Sequence, residues 1–493
     1  MAAGPEDIDI ELFMNWFRED PNLNKHYECW NLVCNQSGFD SKSLKRVYRD
    51  RNGEMFVYMY RQMLARYDAE RLGLNLPLTR PLDNYRAPIE EGYEPNGSLV
   101  TIFGSRKANS VLDNTTVQEI EKYRVSIKQA IEMGKFHDGT EIDINLLGAV
   151  VSGANMRNYY GGLHARGHVA IASISNKPGV MSATRVASRD PVFWRWHRHI
   201  DNLINLWEEK QEPNDFSNSP PVKLRDVILA FKNELPIGHE ETEEEEAAAF
   251  GEKTFGGGNF DKDVSNNEYV TNELQTRMKS KFWTYFGLTE NIDYLFPREF
   301  YYFFRVENTS SSPFDVTFRV FLVPEELAES RRHWIELDKF KGGTIPPNSK
   351  TVVCRSSDMS SVVRQPPRKT RNELDVAHGT TRNPLEAFYD CGWPYHLLLP
   401  RGRRGGMKFK LLVFISDWSQ DKVPRKSRFG SISFGGNESL YSKYPDNKPM
   451  GYPLDRPFKN NSYQETFAGL NNAIIRDVSI KWVDEWQEVF DDD

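Results

Sequence analysis

Residues 158 to 202 read NYYGGLHARGHVAIASISNKPGVMSATRVASRDPVFWRWHRHIDN and hold four of the chain's ten histidines. His164 and His168 stand four apart, so on a helix they share one face and can offer two imidazoles to a single ion. His197 supplies a third ligand. Its context is helical: Asp190 serves as N-cap, Pro191 fits the first helical position, and Phe193, Trp196, Ile200, Leu203, Ile204 and Trp207 recur at helical spacing. His197 lies on the flank of that apolar face. Asp201, one turn further on, either orients His197 or another group behind the ligands or makes an i to i+4 pair on its helix, and a structural role is favoured. His199 points to the other side of the helix and is set aside. On spacing alone, His164 and His168 read equally well as polar residues of an amphipathic helix, because the motif is short.

At 493 residues the chain exceeds one ordinary core, so two domains are expected. With 13% aromatic residues it has ample material to bury, which argues for a folded protein. A net charge of -7 without a long basic run argues against nucleic acid or an anionic membrane as partner and favours a small molecule. The acidic start MAAGPEDIDIELF does not read as a signal peptide, and no apolar run reaches membrane-spanning length, so a cytoplasmic protein is expected. Cys29, Cys34, Cys354 and Cys391 are too scattered for a disulfide scaffold and are expected as buried thiols.

Helical patterning runs from the N-terminus to about Asn233, with segments at Ile10 to Arg18, Lys25 to Val33, Glu54 to Leu72, Thr116 to Met133, Leu146 to Arg157, Tyr160 to Ser173, Pro191 to Glu209 and Val222 to Asn233. Within Glu54 to Leu72, the residues Phe56, Met59, Tyr60, Met63 and Tyr67 form one buried stripe, in which the methionines read as core. Residues 239 to 258, acidic and then glycine-rich, read as a solvated connector. Beyond them the period becomes two: Val316, Phe318, Val320 and Leu322 alternate with Thr317, Arg319 and Phe321, and Met407 to Ile415 alternates likewise, as strands of an antiparallel β-sandwich. The expected architecture is α + β and multidomain: a helical metal domain over 1–240, a connector over 241–262 and a β-sandwich over 263–493. His137, His239, His333, His378 and His396 fall outside any ligand spacing.

Several blocks carry a resemblance: FRED at Phe17, GEMFVYMYRQMLARYDAERL from Gly53, YYGGLHARGH from Tyr159, the run from Asn176 to Asn202, WIELDKF from Trp334, CRSSD from Cys354, DCGWP from Asp390 and MGYPLDRP from Met450. Across nearly its whole length the chain resembles the arthropod hemocyanin and phenoloxidase superfamily. That resemblance implies a four-helix-bundle metal domain followed by an immunoglobulin-like sandwich, without the additional N-terminal domain of the arthropod proteins. It also implies two metal half-sites, each of three histidines. Here the second set matches at His164, His168 and His197, whereas the first falls on Tyr27, Asn31 and Tyr60, and His26 matches a histidine that is not a ligand. Neutral asparagine and protonated tyrosine cannot hold a second copper for dioxygen chemistry, so oxygen transport and phenol oxidation are not expected.

A lone tris-histidine ion with an open position is the arrangement of catalytic zinc. The chain resembles a fungal, single-metal branch of the superfamily, the zinc-dependent cyclopenases of quinolone alkaloid biosynthesis. The implied cofactor is one Zn2+ per chain in preference to copper, and the implied partner is a benzodiazepinedione substrate, with self-association into a homo-oligomer left open. In this reading the site left by the first metal is the substrate pocket, lined by Tyr27, Asn31 and Tyr60. Tyr60 or Tyr27 would donate a proton or hydrogen bond, and His26 is a further candidate base; all of them can equally serve as packing. The alternatives are a mononuclear copper phenol oxidase and a non-enzymatic storage or scaffold protein.

Overall fold

A computed structural model of the chain describes residues 9–34, 38–39, 46–47, 50–97, 99–153, 159–238, 242–285, 288–363, 392–423 and 446–486. His239, His378, Asp390, Cys391 and residues 154–157 lie outside them, as does the side chain of Cys34. The chain forms two compact units, Met1–Lys210 with Lys279–Tyr294, and Gln211–Met278 with Leu295–Asp493.

The first unit is helical. After a 3-10 turn at Ile10–Met14 and a short helix at Asn15–Arg18 come α1 (Pro21–Cys34), α2 (Asn52–Gly73), α3 (Asn114–Met133), α4 (Ile144–Ser152), α5 (Leu163–Ala172) and α6 (Pro191–Glu208). The start of α6 follows its local code: the Asp190 carboxylate accepts from the Val192 amide at 3.0 Å, and Pro191 occupies the first turn, where its missing N–H costs nothing. α5 begins at Leu163 rather than at Tyr160, because Gly161 and Gly162 take φ of 65° and 68°, a backbone that no helix continues through. Gly153, at φ 91°, ends α4 in the same way. The one-sided stripe expected for α2 is exceeded: every residue from Asn52 to Arg71 is buried, including Arg61, Arg66, Asp68, Glu70 and Arg71. A helix buried all round sits at the centre of a bundle.

In the second unit the expected helix at Val222 to Asn233 is a strand, β1 (Val222–Phe231). Its first residues alternate buried and exposed and its last five are all buried, so the apolar run has no helical period and marks a strand covered on both faces. It pairs antiparallel with β4 (Phe300–Asn308), which pairs with β7 (Ser349–Ser356) in a three-stranded sheet. The larger sheet has the order β3 (Leu288–Pro297), β2 (Glu273–Tyr285), β9 (Ala473–Trp482), β8 (Met407–Asp417), β5 (Phe314–Pro324) and β6 (Ile335–Ile345), with β2 and β9 parallel. Phe304 of the small sheet meets Phe318 and Phe340 of the large one, at ring separations of 4.6 and 6.0 Å, and so forms the sandwich interior. The alternate positions of β5, Thr317, Arg319 and Phe321, are buried as well, since Phe321 packs under Leu454, Phe458 and Phe467 on the outer face.

Part of the expected connector is ordered. Glu243–Phe255 forms α7, whose Ala247 and Phe255 pack on Ile228, Ala230, Tyr301 and Phe303, while the glutamates of its first turn complement the helix dipole. Cys29 and Cys354 are half-buried rather than fully buried, and burial pushes the Cys354 thiol up to about 12. Among the described residues no helix is long and apolar enough to cross a membrane.

Two glycine seams set how closely the helices of the first unit approach. A Cβ at Gly148 of α4 would stand 2.1 Å from the Gly53 carbonyl oxygen of α2, and one at Gly167 of α5 would stand 1.9 Å from the Trp196 ring of α6. Backbone meets backbone at the first seam, so no side-chain rotation can relieve an added methyl. Gly148→Ala is expected to destabilise the helical unit by about 2 to 3 kcal/mol, read as a lower midpoint in thermal or urea unfolding. An unchanged midpoint would mean that α2 and α4 do not touch there.

Candidate metal centre

α5 carries two histidines one turn apart, and α6 presents a third to them. His164 Nε2 lies 2.9 Å from His197 Nε2, His168 Nε2 lies 3.3 Å from it, and the three ligand atoms all fall within 4.8 Å of one another. A tetrahedral ion with bonds of about 2.0 Å to nitrogen spans ligand pairs about 3.3 Å apart, so this set fits one metal. It is the one group of metal-binding character among the described residues. His26 is not part of it, although it is buried on α1.

The rings are oriented from behind by the backbone. His197 Nδ1 donates to the Phe193 carbonyl at 2.6 Å, His168 Nδ1 donates to the Met181 carbonyl at 3.0 Å, and His164 is held by a backbone hydrogen bond with Ser152. Because a carbonyl can only accept, the proton of the neutral ring sits on Nδ1 in His168 and His197, and Nε2 presents a lone pair to the common point. Burial keeps these imidazoles uncharged, holding His168 down to about 4 and His164 and His197 well below their ordinary range. Trp196 fixes the approach of the two helices: its ring lies over Gly167, and its Nε1 donates to the His164 carbonyl at 3.2 Å.

Tyr60 of α2 lies flat against His197, with ring centroids 4.0 Å apart and planes 15° from parallel. Its hydroxyl meets that of Tyr27 of α1 at 2.9 Å. Asn31 donates to the Tyr27 carbonyl at 2.8 Å, and its side chain also interacts with both phenols. The structure thus brings Tyr27, Asn31, Tyr60 and the three histidines into one neighbourhood, with the Tyr60 ring 5.3 Å from that of His164. Burial pushes both phenols above the ordinary tyrosine range, so they stay protonated. Phe56, 4.9 Å from His164, and Phe193, 4.0 Å from His197, complete an aromatic wall.

Asp201 is engaged by two arginines. It accepts from Arg61 of α2 and from Arg198 of its own helix. His199 points away, with Nε2 2.6 Å from the Tyr85 hydroxyl. Sequence reasoning missed the carbonyls that orient the rings. Phe193 is legible in hindsight, since it stands four residues before His197 on the same helix, whereas Met181 carries no local signal. Chemically, the arrangement offers neutral nitrogen ligands beside neutral phenol donors, among aromatic rings.

Known proteins supply the context. The family model described as "Hemocyanin, copper containing domain" matches residues 5–204, and the one described as "Hemocyanin, ig-like domain" matches residues 259–482. Hemocyanin II of Limulus polyphemus is 32% identical over 513 residues, covering 96% of this chain and 75% of its own. Phenoloxidase subunit 1 of Bombyx mori is 31% identical over 531 residues, covering 98% and 72%. Among solved structures, scorpion hemocyanin in its activated state matches with a TM-score of 0.78 at 30% identity, over 98% of this chain and 77% of that one. The crystal structure of AsqI with Zn matches with a TM-score of 0.71 at 20% identity, over 98% and 82%, a likeness of fold. With both family models matched in order and this extent of identity to hemocyanins and a phenoloxidase, the chain belongs to the hemocyanin and phenoloxidase superfamily.

Proposed function

We propose that the chain is a single-metal zinc enzyme of the cyclopenase type, catalysing the redox-neutral ring contraction of a spiro-epoxy benzodiazepinedione to a 4-aryl-3-hydroxyquinolin-2-one with release of methyl isocyanate. The observation that carries this reading is the pairing of one convergent histidine trio with a tyrosine pair in place of a second trio. His164, His168 and His197 would hold the ion. When bound, zinc supplies a Lewis acid for a substrate carbonyl oxygen and for charge that develops as the epoxide opens.

The phenols supply hydrogen bonds to the substrate. In a hydroxyl pair one O–H donates to the other oxygen, which leaves the second proton of Tyr27 or Tyr60 for a substrate oxygen. Their raised pKa values keep them protonated, so they act as hydrogen-bond donors to a substrate oxygen and not as bases. Asn31 positions Tyr27, and the rings of Phe56 and Phe193 keep water from the reacting atoms. We assign no step to His26. A mononuclear copper phenol oxidase is the second reading, favoured by the match to a copper-containing domain.

Elemental analysis of the purified protein separates the readings: one zinc per chain is expected, one copper would support the oxidase, and no metal would support a storage or scaffold role. His164→Ala and His168→Ala should each abolish stoichiometric metal. Zinc-loaded protein should convert a cyclopenin-type epoxide without added oxidant, and full turnover by the His164→Ala, His168→Ala double variant would sink the proposal. Tyr60→Phe should lower turnover about 10²-fold or more with metal content intact; an unchanged rate would return Tyr60 to packing.

A further inference from the structure

Among the described residues the metal-binding group holds histidines alone, and other contacts place α6 against α2. The two helices run antiparallel and share two flat aromatic stacks, Tyr60 on His197 at 4.0 Å and Tyr67 on Trp194 at 4.1 Å. Stacked rings slide easily over one another, so they do not set a register. Beside the stacks lies a buried chain of charges. Arg61 donates from Nε to Asp201 at 2.9 Å and from Nη1 to Glu208 at 2.8 Å. Arg198 donates to Asp201 at 3.0 Å and to Asp68 at 2.7 Å, and Asp68 accepts from the Thr79 amide and hydroxyl at 2.8 and 2.6 Å. These charged groups are at most 7% exposed.

Each arginine directly follows a residue of the centre, Arg61 after Tyr60 and Arg198 after His197. Three ion pairs cross between α2 and α6: Arg61 to Asp201, Arg61 to Glu208, and Arg198 to Asp68. A forked guanidinium holding two carboxylates two turns apart on one helix admits one axial register, because a shift of one residue, about 1.5 Å, breaks both bonds.

We propose that Arg61, Arg198, Asp68 and Asp201 are positioning residues of the metal centre, which lock α6 on α2 so that His197 meets the α5 histidines under the Tyr60 ring. This rests on the three histidines binding a metal and not on the identity of the reaction, so cobalt(II) serves as the probe. Asp201→Asn keeps the shape and removes the charge. It should weaken cobalt binding about tenfold and shift the visible d–d bands of the cobalt-loaded protein. Asp446→Asn is the control, since it breaks the buried pairs of Asp446 with Arg319 and Lys339 in the second unit and should leave affinity and spectrum unchanged. If Asp201→Asn does not fold, Arg61→Lys carries the test, because lysine keeps the charge but cannot fork; the same spectral shift is expected. Native bands and affinity in the folded variant would overturn the proposal, as would an equal loss in Asp446→Asn. Failure of wild-type protein to bind cobalt would instead overturn the metal centre itself.

Discussion

Three imidazole lone pairs aimed at one buried point are the constraint on which the helical unit depends. The arrangement follows from where the protons go. His168 and His197 give their Nδ1 protons to main-chain carbonyls, and that commits each Nε2 to the shared centre. Burial then keeps the rings neutral, because charging any of them would cost solvation that the interior does not return. The rest of the bundle serves this convergence. Gly167 lets Trp196 seat α5 on α6, and Gly53 with Gly148 lets α4 close on α2.

Electrostatically, the neighbourhood of the trio is divided. The residues that face the histidines are neutral: phenols held protonated, an amide, and phenylalanine rings. The charges of the same helices, on Arg61, Asp68, Arg198, Asp201 and Glu208, are spent on one another. A polar but uncharged wall lets any cation held by the three histidines dominate the local field.

Much of this was legible in the chain itself. His164 and His168 do share one helix, Asp190 with Pro191 does open another, and the two-residue period from Val316 does become a strand. What was missed has physical causes. Val222–Phe231 reads as a helix because a strand buried on both faces loses its alternation. The glutamates of α7 hide a packing face that consists only of small and aromatic residues such as Ala247 and Phe255. The burial of Arg61 and Asp68 on α2 carries no local signal, because the charges they pair with lie 130 to 147 residues away along the chain. The family resemblance named Tyr27 and Tyr60 as neighbours of the metal, but only the fold brings their hydroxyls together at 2.9 Å.

That hydroxyl pair also ties two helices together. Tyr27 of α1 and Tyr60 of α2 share one buried hydrogen bond, worth about 1 kcal/mol, and Asn31 of α1 engages both phenols. The same side chains that stand beside the histidine trio thus clasp α1 to α2, so the surroundings of the site and the seam between the two helices are one and the same contact.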